Sequence, residues 1–143
     1  MGGGCNIMGA FSGGGGGSNL SSSQTYITSD FTSSSTSFTD ITDLKADMPD
    51  VTNGKGFVIC NMTYSISSGG NQCVFQILNE ANTVQGSQGY ENADANVLHC
   101  AQVQAIHDTD GEEMQMSGRV SAGSWTIGAN STTKKTNIIT MGL

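Results

Sequence analysis

The chain has 143 residues and a formal charge of −7, from five basic and twelve acidic residues, with only 6% aromatic and 12% charged side chains, 20 glycines and one proline. That length suits one domain burying about two-thirds of its unfolded surface, and the acidic balance argues against a role built on neutralising phosphates, so nucleic acid is not an expected partner. No apolar run reaches membrane-spanning length and no basic segment leads into an apolar one, so neither a membrane span nor an export signal is expected.

Residues 1–25 are almost entirely Gly, Ser and other small residues, including the run Gly13 to Gly17. Such a segment cannot bury enough surface to fold alone, which predicts a flexible Gly/Ser-rich arm ahead of a β-domain over 26–143. Ile7, Met8 and Phe11 interrupt the arm, and two readings stay open: a disordered leader, or an arm whose apolar pegs order on docking to a neighbouring subunit or shell. Met1-Gly2-Gly3-Gly4-Cys5-Asn6 resembles an acylation signal but has Asn6 where that signal needs Ser or Thr, so lipidation is not expected. No Lys-Ser or Lys-Thr follows the glycine run, which therefore reads as flexibility and not as a phosphate-cradling loop.

From Tyr26 onward, short β-prone runs alternate with Gly, Ser, Asn and Asp clusters, the pattern of an all-β sandwich or barrel. Tyr26 to Phe31 and Phe38 to Leu44 read as two strands split at Ser33-Ser34-Ser35, and Pro49 sits in a loop ending at Asn53-Gly54. Gly56 to Ser67 is the clearest strand, because Val58, Cys60, Met62, Tyr64 and Ile66 alternate with Asn61, Thr63 and Ser65. A turn through Ser68-Gly69-Gly70-Asn71 would pair it with Gln72 to Leu78, bringing Cys73 near Ile66, Phe75 near Tyr64 and Ile77 near Met62. In that register Cys60 and Cys73 are too far apart for a disulfide. With no CxxC pair, Cys5, Cys60, Cys73 and Cys100 indicate neither a disulfide framework nor a zinc site and read as buried free thiols acting as small hydrophobes.

Asn79 to Asn96 is polar and glycine-containing, predicting a long connection or a short irregular strand and a candidate functional loop. Tyr90 lies within it, beside Glu91, with no obvious core to enter, so this pair forms the candidate contact loop. Val97 to Ile106 and Met114 to Val120 read as a hairpin about Asp110-Gly111, with Ala105 opposite Met116, Val103 opposite Gly118 and Ala101 opposite Val120. Ser124 to Ala129 and Asn137 to Leu143 bring the count to roughly eight strands, within the range of jelly-roll sandwiches.

The segments Ser37-Phe38-Thr39-Asp40-Ile41, Gly56-Phe57-Val58-Ile59, Gly118-Arg119-Val120-Ser121-Ala122-Gly123-Ser124-Trp125-Thr126-Ile127-Gly128 and Ile138-Ile139-Thr140-Met141 together resemble a module of bacteriophage virion proteins. The resemblance spans most of 26–143. It implies a jelly roll similar to the C1q and tumour-necrosis-factor fold, assembled as a trimer in fibre tips or capsid decorations. It carries no catalytic residues, and the Gly-rich arm is not part of its pattern.

Potential ligands are densest at His99, Cys100, His107, Asp108, Asp110, Glu112 and Glu113. His99 and Cys100 point to opposite faces of a strand, and His99 and His107, eight residues apart, would lie about 26 Å from each other on a straight one. Asp108 to Glu113 invites a calcium reading but lacks the spacing of a twelve-residue calcium loop, and Asp-Gly is a strong hairpin signal, so an exposed turn is expected there. With two histidines and no Gly-x-Ser-x-Gly elbow, no nucleophile with a base is indicated.

The expectation is therefore a non-enzymatic virion structural protein without cofactor or metal. It would be a homotrimeric capsid decoration (cement) protein, made in the host cytoplasm, anchored to the major capsid protein or another virion protein through Ile7, Met8 and Phe11. A short chain opening on Met1 favours decoration over a tail fibre subunit. The alternatives are a receptor- or glycan-binding fibre-tip module using the 79–96 loop, and a secreted C1q-type ligand.

Overall fold

The computed structural model describes residues 21–92, 94–129 and 136–142, all as strands, turns and loops. The strands are β1 (Ser22–Tyr26), β2 (Phe31–Ser33), β3 (Thr39–Asp47), β4 (Asp50–Ile66), β5 (Asn71–Leu78), β6 (Val84–Asn92), β7 (His99–Asp110), β8 (Glu113–Val120), β9 (Trp125–Ile127) and β10 (Asn137–Gly142). The first sheet runs β1-β10-β4, with β7 on the far edge of β4; the short β9 pairs with the last residues of β4, past the stretch that β10 occupies, and carries β2, while the second sheet runs β3-β8-β5-β6. All pairs are antiparallel. The order β1-β10-β4-β7 over β3-β8-β5-β6, with the chain passing between sheets after β2, β3, β4, β6, β7 and β8, is that of a jelly roll.

Alternation decides which side chains enter the core. Val58, Cys60, Met62, Tyr64 and Ile66 of β4 and Ala101, Val103 and Ala105 of β7 turn inward from the first sheet. Cys73, Phe75 and Ile77 of β5 and Met114, Met116 and Val120 of β8 meet them from the second. Trp125 is fully buried between Phe31 (centroids 5.4 Å apart) and Phe75 (5.6 Å), and a Cβ on Gly118 would come within 2.8 Å of the Phe75 ring.

Two expected hairpins are corrected. β7 and β8 do not pair: Ala105, Val103 and Ala101 stand opposite Val58, Cys60 and Met62 of β4, while Gly118 and Val120 stand opposite Phe75 and Cys73 of β5. Nor do β4 and β5 pair, yet Tyr64 and Phe75 touch edge-to-face at 5.1 Å. The physical reason is common to both. A strand with one apolar face satisfies its period equally by lying beside its partner or by facing it across the core, where edge-to-face rings also pack well.

Other boundaries move as well. Tyr26 to Phe31 is not one strand but the end of β1, a loop and the start of β2. β1 begins at Ser22 and pairs Ser22 to Thr25 with Met141 to Ile138, so the sheet takes in residues ahead of the expected 26–143 boundary. The 79–96 segment contains β6, nine residues long.

Candidate functional site

The outward face of the first sheet follows from register. Phe57, Ile59, Asn61 and Thr63 alternate with the core residues of β4. Cross-strand pairing sets Ser22, Met141, Phe57 and Ile106 in one row, Gln24, Ile139, Ile59 and Gln104 in the next, and Tyr26, Asn137, Asn61 and Gln102 in a third. The first two rows hold a contiguous apolar patch of Met141, Phe57, Ile106, Ile139 and Ile59, with Ile106 60% exposed. The third is a ladder of amides. Asn61 Nδ2 donates to Asn137 Oδ1 (3.0 Å), Gln102 Nε2 to Asn61 Oδ1 (2.7 Å) and Gln104 Nε2 to Gln102 Oε1 (2.6 Å).

None of these twelve side chains is an Asp, Glu, Lys, Arg or His. The next row outward holds Lys55 opposite Asp108, an ion pair whose charges cancel and in which the Lys55 hydrogen bond and charge hold the Asp108 carboxyl below its ordinary range. The sequence carries a signal for this face that alternation alone passes over. Phe57-Val58-Ile59-Cys60 and Ile138-Ile139 are apolar at both parities, the mark of a strand covered on both sides.

Tyr90, expected in a loop with no core to enter, lies instead on β6 with its ring 6.2 Å from both Tyr64 and Phe75. Its hydroxyl donates to the Gln102 carbonyl (2.7 Å) and accepts from the Gln102 N–H (2.8 Å). Among the described residues β7 pairs only with β4, so this hydroxyl takes the place of a ladder partner on an open edge. Gly86 completes the seal, because a Cβ there would collide with the Gln104 carbonyl. Replacing Tyr90 with Phe should lower stability by about 1–2 kcal/mol, since two backbone groups lose their partner, and should speed hydrogen exchange at the Gln102 amide. Unchanged exchange there would refute the edge-sealing role.

Glu91 lies exposed at the rim of a hollow of about 530 Å³ lined by Gly70, Asn71, Gln72, Asn92 and Ser121. Asn71, Asn92 and Ser121 are occupied in the wall: Asn92 Nδ2 donates to the Asn71 carbonyl (3.1 Å) and Ser121 Oγ accepts from the Gln72 N–H (2.9 Å). Glu91 and the Gln72 side chain, paired across β5 and β6, therefore remain the groups best placed to meet a ligand.

At one end of β7, the His99 ring lies 5.4 Å from Tyr64 with its Nε2 buried, and Cys100, expected to be buried, is instead exposed because it alternates onto the opposite, outward face. At the other end His107 meets Asp110 and Glu112, with one donor atom from each lying within 4.8 Å of the others. The expected exposed turn at Asp110-Gly111 is present, with Gly111 at φ 79°, and it folds Glu112 back onto His107. Cys60 and Cys73 are free and buried. Burial pushes the Cys73 thiol up to about 11 and that of Cys60 well above the ordinary value, so both stay protonated at neutral pH. Ile7, Met8 and Phe11 lie outside the described residues.

No protein family and no curated protein matches the sequence. Among solved structures the chain is similar to the Eiger TNF of S. frugiperda, at 10% identity, covering 87% of this chain and 92% of that one, TM-score 0.49. It is similar to VP2 of infectious bursal disease virus, at 10% identity, covering 87% of this chain but 39% of that one, TM-score 0.48. It is also similar to a carbohydrate binding module of Cellvibrio mixtus lichenase 5A in complex with cellotriose, at 12% identity, covering 77% and 72%, TM-score 0.44. These likenesses concern the arrangement of strands alone.

Proposed function

We propose that this chain is a non-enzymatic structural protein of a bacteriophage virion: a homotrimeric capsid decoration (cement) protein, anchored to the major capsid protein or another virion protein through its N-terminal arm. The observation that carries this reading is the uncharged, partly apolar outer face of the first sheet on a chain of net charge −7. Like-charged copies repel, so they meet with least electrostatic cost where the acids are absent. A closed homo-oligomer also needs a self-complementary patch, and homo-oligomeric interfaces are more apolar than the remaining surface. Met141, Phe57, Ile106, Ile139 and Ile59 supply the apolar centre and the amide ladder supplies a polar border.

A second reading, a receptor- or glycan-binding tip module, is favoured by the Gln72–Glu91 hollow, whose amide and carboxylate suit a ligand's hydroxyl groups. Light scattering on the full chain separates the two when repeated with purified shells lacking the protein. A mass about three times the 14.8 kDa chain and co-sedimentation with shells are expected. A monomer that ignores shells and binds cell envelopes would sink the decoration reading in favour of the second.

A further inference from the structure

We propose that His107, Asp110 and Glu112 bind a divalent transition-metal ion of borderline softness, of the Zn²⁺ type, which ties the two sheets together at the β7–β8 turn. His107 and Asp110 belong to β7 of the first sheet, and Glu112 leads into β8 of the second. The His107 ring is nearly enclosed, its side chain 11% exposed. Its Nδ1 lies 3.0 Å from the Asp108 carbonyl. That contact calls for a ring N–H at Nδ1 and leaves Nε2 facing Glu112 Oε2 at 3.2 Å. Metal-binding histidines typically fix their tautomer through such a bond from the second ring nitrogen to a carbonyl. Two donors held at 2.0–2.2 Å on one tetrahedral ion lie about 3.4 Å apart, so Nε2 and Oε2 already have the required separation.

The carboxylates are held from outside as well. Asn79, in the loop after β5, brings its Nδ2 to 3.4 Å from Glu112 Oε2, and Asp110 Oδ1 accepts the Glu112 N–H at 3.1 Å and lies 3.9 Å from His107 Nδ1, which holds the Asp110 carboxylate beside the ring. Positive charge is what the neighbourhood lacks. Asp50 stands directly opposite Asp110 in register, an arrangement of like charges that destabilises a strand pair. Both described lysines are committed elsewhere, Lys55 to Asp108 and Lys45 to Glu113. An imidazole in the donor set favours Zn²⁺, Ni²⁺ or Cu²⁺ over Ca²⁺ and Mg²⁺, which take oxygen alone. Because a proton competes for Nε2, binding should weaken on acidification.

The test is calorimetric titration of the full chain with ZnCl2 and with CaCl2, alongside His107→Gln and Glu112→Gln. One Zn²⁺ per chain is expected, with each substitution weakening it at least tenfold, and a thermal midpoint raised by roughly 5 °C at saturating ion. Absence of Zn²⁺ binding, tighter Ca²⁺ than Zn²⁺ binding, or unaltered affinity in both variants would overturn the proposal. Should the variants not fold, the visible spectrum of the unmodified protein loaded with Co²⁺ decides. Nitrogen and oxygen ligation gives d–d bands alone, while thiolate charge-transfer bands would assign the ion to the cysteines, and no spectrum at all would likewise refute the site.

Discussion

Truncation of Trp125 to alanine is expected to lower the unfolding free energy by about 3–5 kcal/mol, the range for deleting a large aromatic from a packed core. Trp125 is fully buried, with its ring against Phe31 and Phe75 and its Cη2 within 3.1 Å of where a Gly118 Cβ would be. It contributes volume and ring contacts and no hydrogen bond: its Nε1 is buried without a partner among the described residues. The effect should therefore arise from the cavity alone, and Trp125→Phe, which keeps a ring in place, should cost well under half as much. β9 carries Trp125 at one end of the first sheet and holds β2 through Phe31↔Ile127 and Ser33↔Trp125, so collapse around an alanine would have to displace two short strands. Urea unfolding provides the measurement, read as a shift in midpoint at constant slope. For a domain stable by about 5–15 kcal/mol, a loss below about 1 kcal/mol would mean that Phe31 and Phe75 close over the gap and that this corner is not a rigid part of the core.

The same aromatic corner marks how far the sequence can be read. Alternation in β4, β5, β7 and β8 identified the inward residues, because burial imposes a period of two whichever strand lies alongside. It could not say whether two apolar faces meet edge to edge or face to face. Ser68–Asn71 and Asp110-Gly111 are short, glycine-containing connections like hairpin loops, yet both carry the chain across the core. Tyr64 and Phe75 therefore meet across the core and not along one sheet.

β6 was legible only as a polar segment. Val84 is 51% exposed, and the glycine at position 86 reflects the close approach of the Gln104 carbonyl, a tertiary constraint that looks local in sequence. The outer patch and the His107 cluster failed to emerge for different reasons. The patch is visible as apolar residues at both parities of β4 and β10, but knowing that the second face is open requires the topology. The cluster depends on a turn that reverses the chain between Asp110 and Glu112, whereas spacing along a straight strand could only test His107 against His99.

Ile106→Asp is expected to convert the assembly to monomer while leaving the domain folded. At 60% exposure Ile106 contributes little to the isolated domain, and substitutions at such positions usually change stability by less than about 0.5 kcal/mol. In the proposed interface the same carboxylate would be buried against Phe57, its in-register neighbour, with Met141 in the same row. An unpaired buried charge there costs several kcal/mol per subunit, and symmetry repeats it in every copy. Lys55, the nearest cation along the strand pair, is already engaged by Asp108. A dissociation constant raised by at least a thousandfold corresponds to about 4 kcal/mol, so light scattering at micromolar concentration should show the single-chain mass, with an unchanged circular dichroism spectrum. Val84→Asp is the matched control: it adds the same charge to a comparably exposed residue on β6 of the second sheet and should leave the mass unaltered. If both variants dissociate, general repulsion among acidic chains is responsible. If neither does, the copies meet through another surface, and the uncharged face of β10, β4 and β7 loses its place as the assembly site.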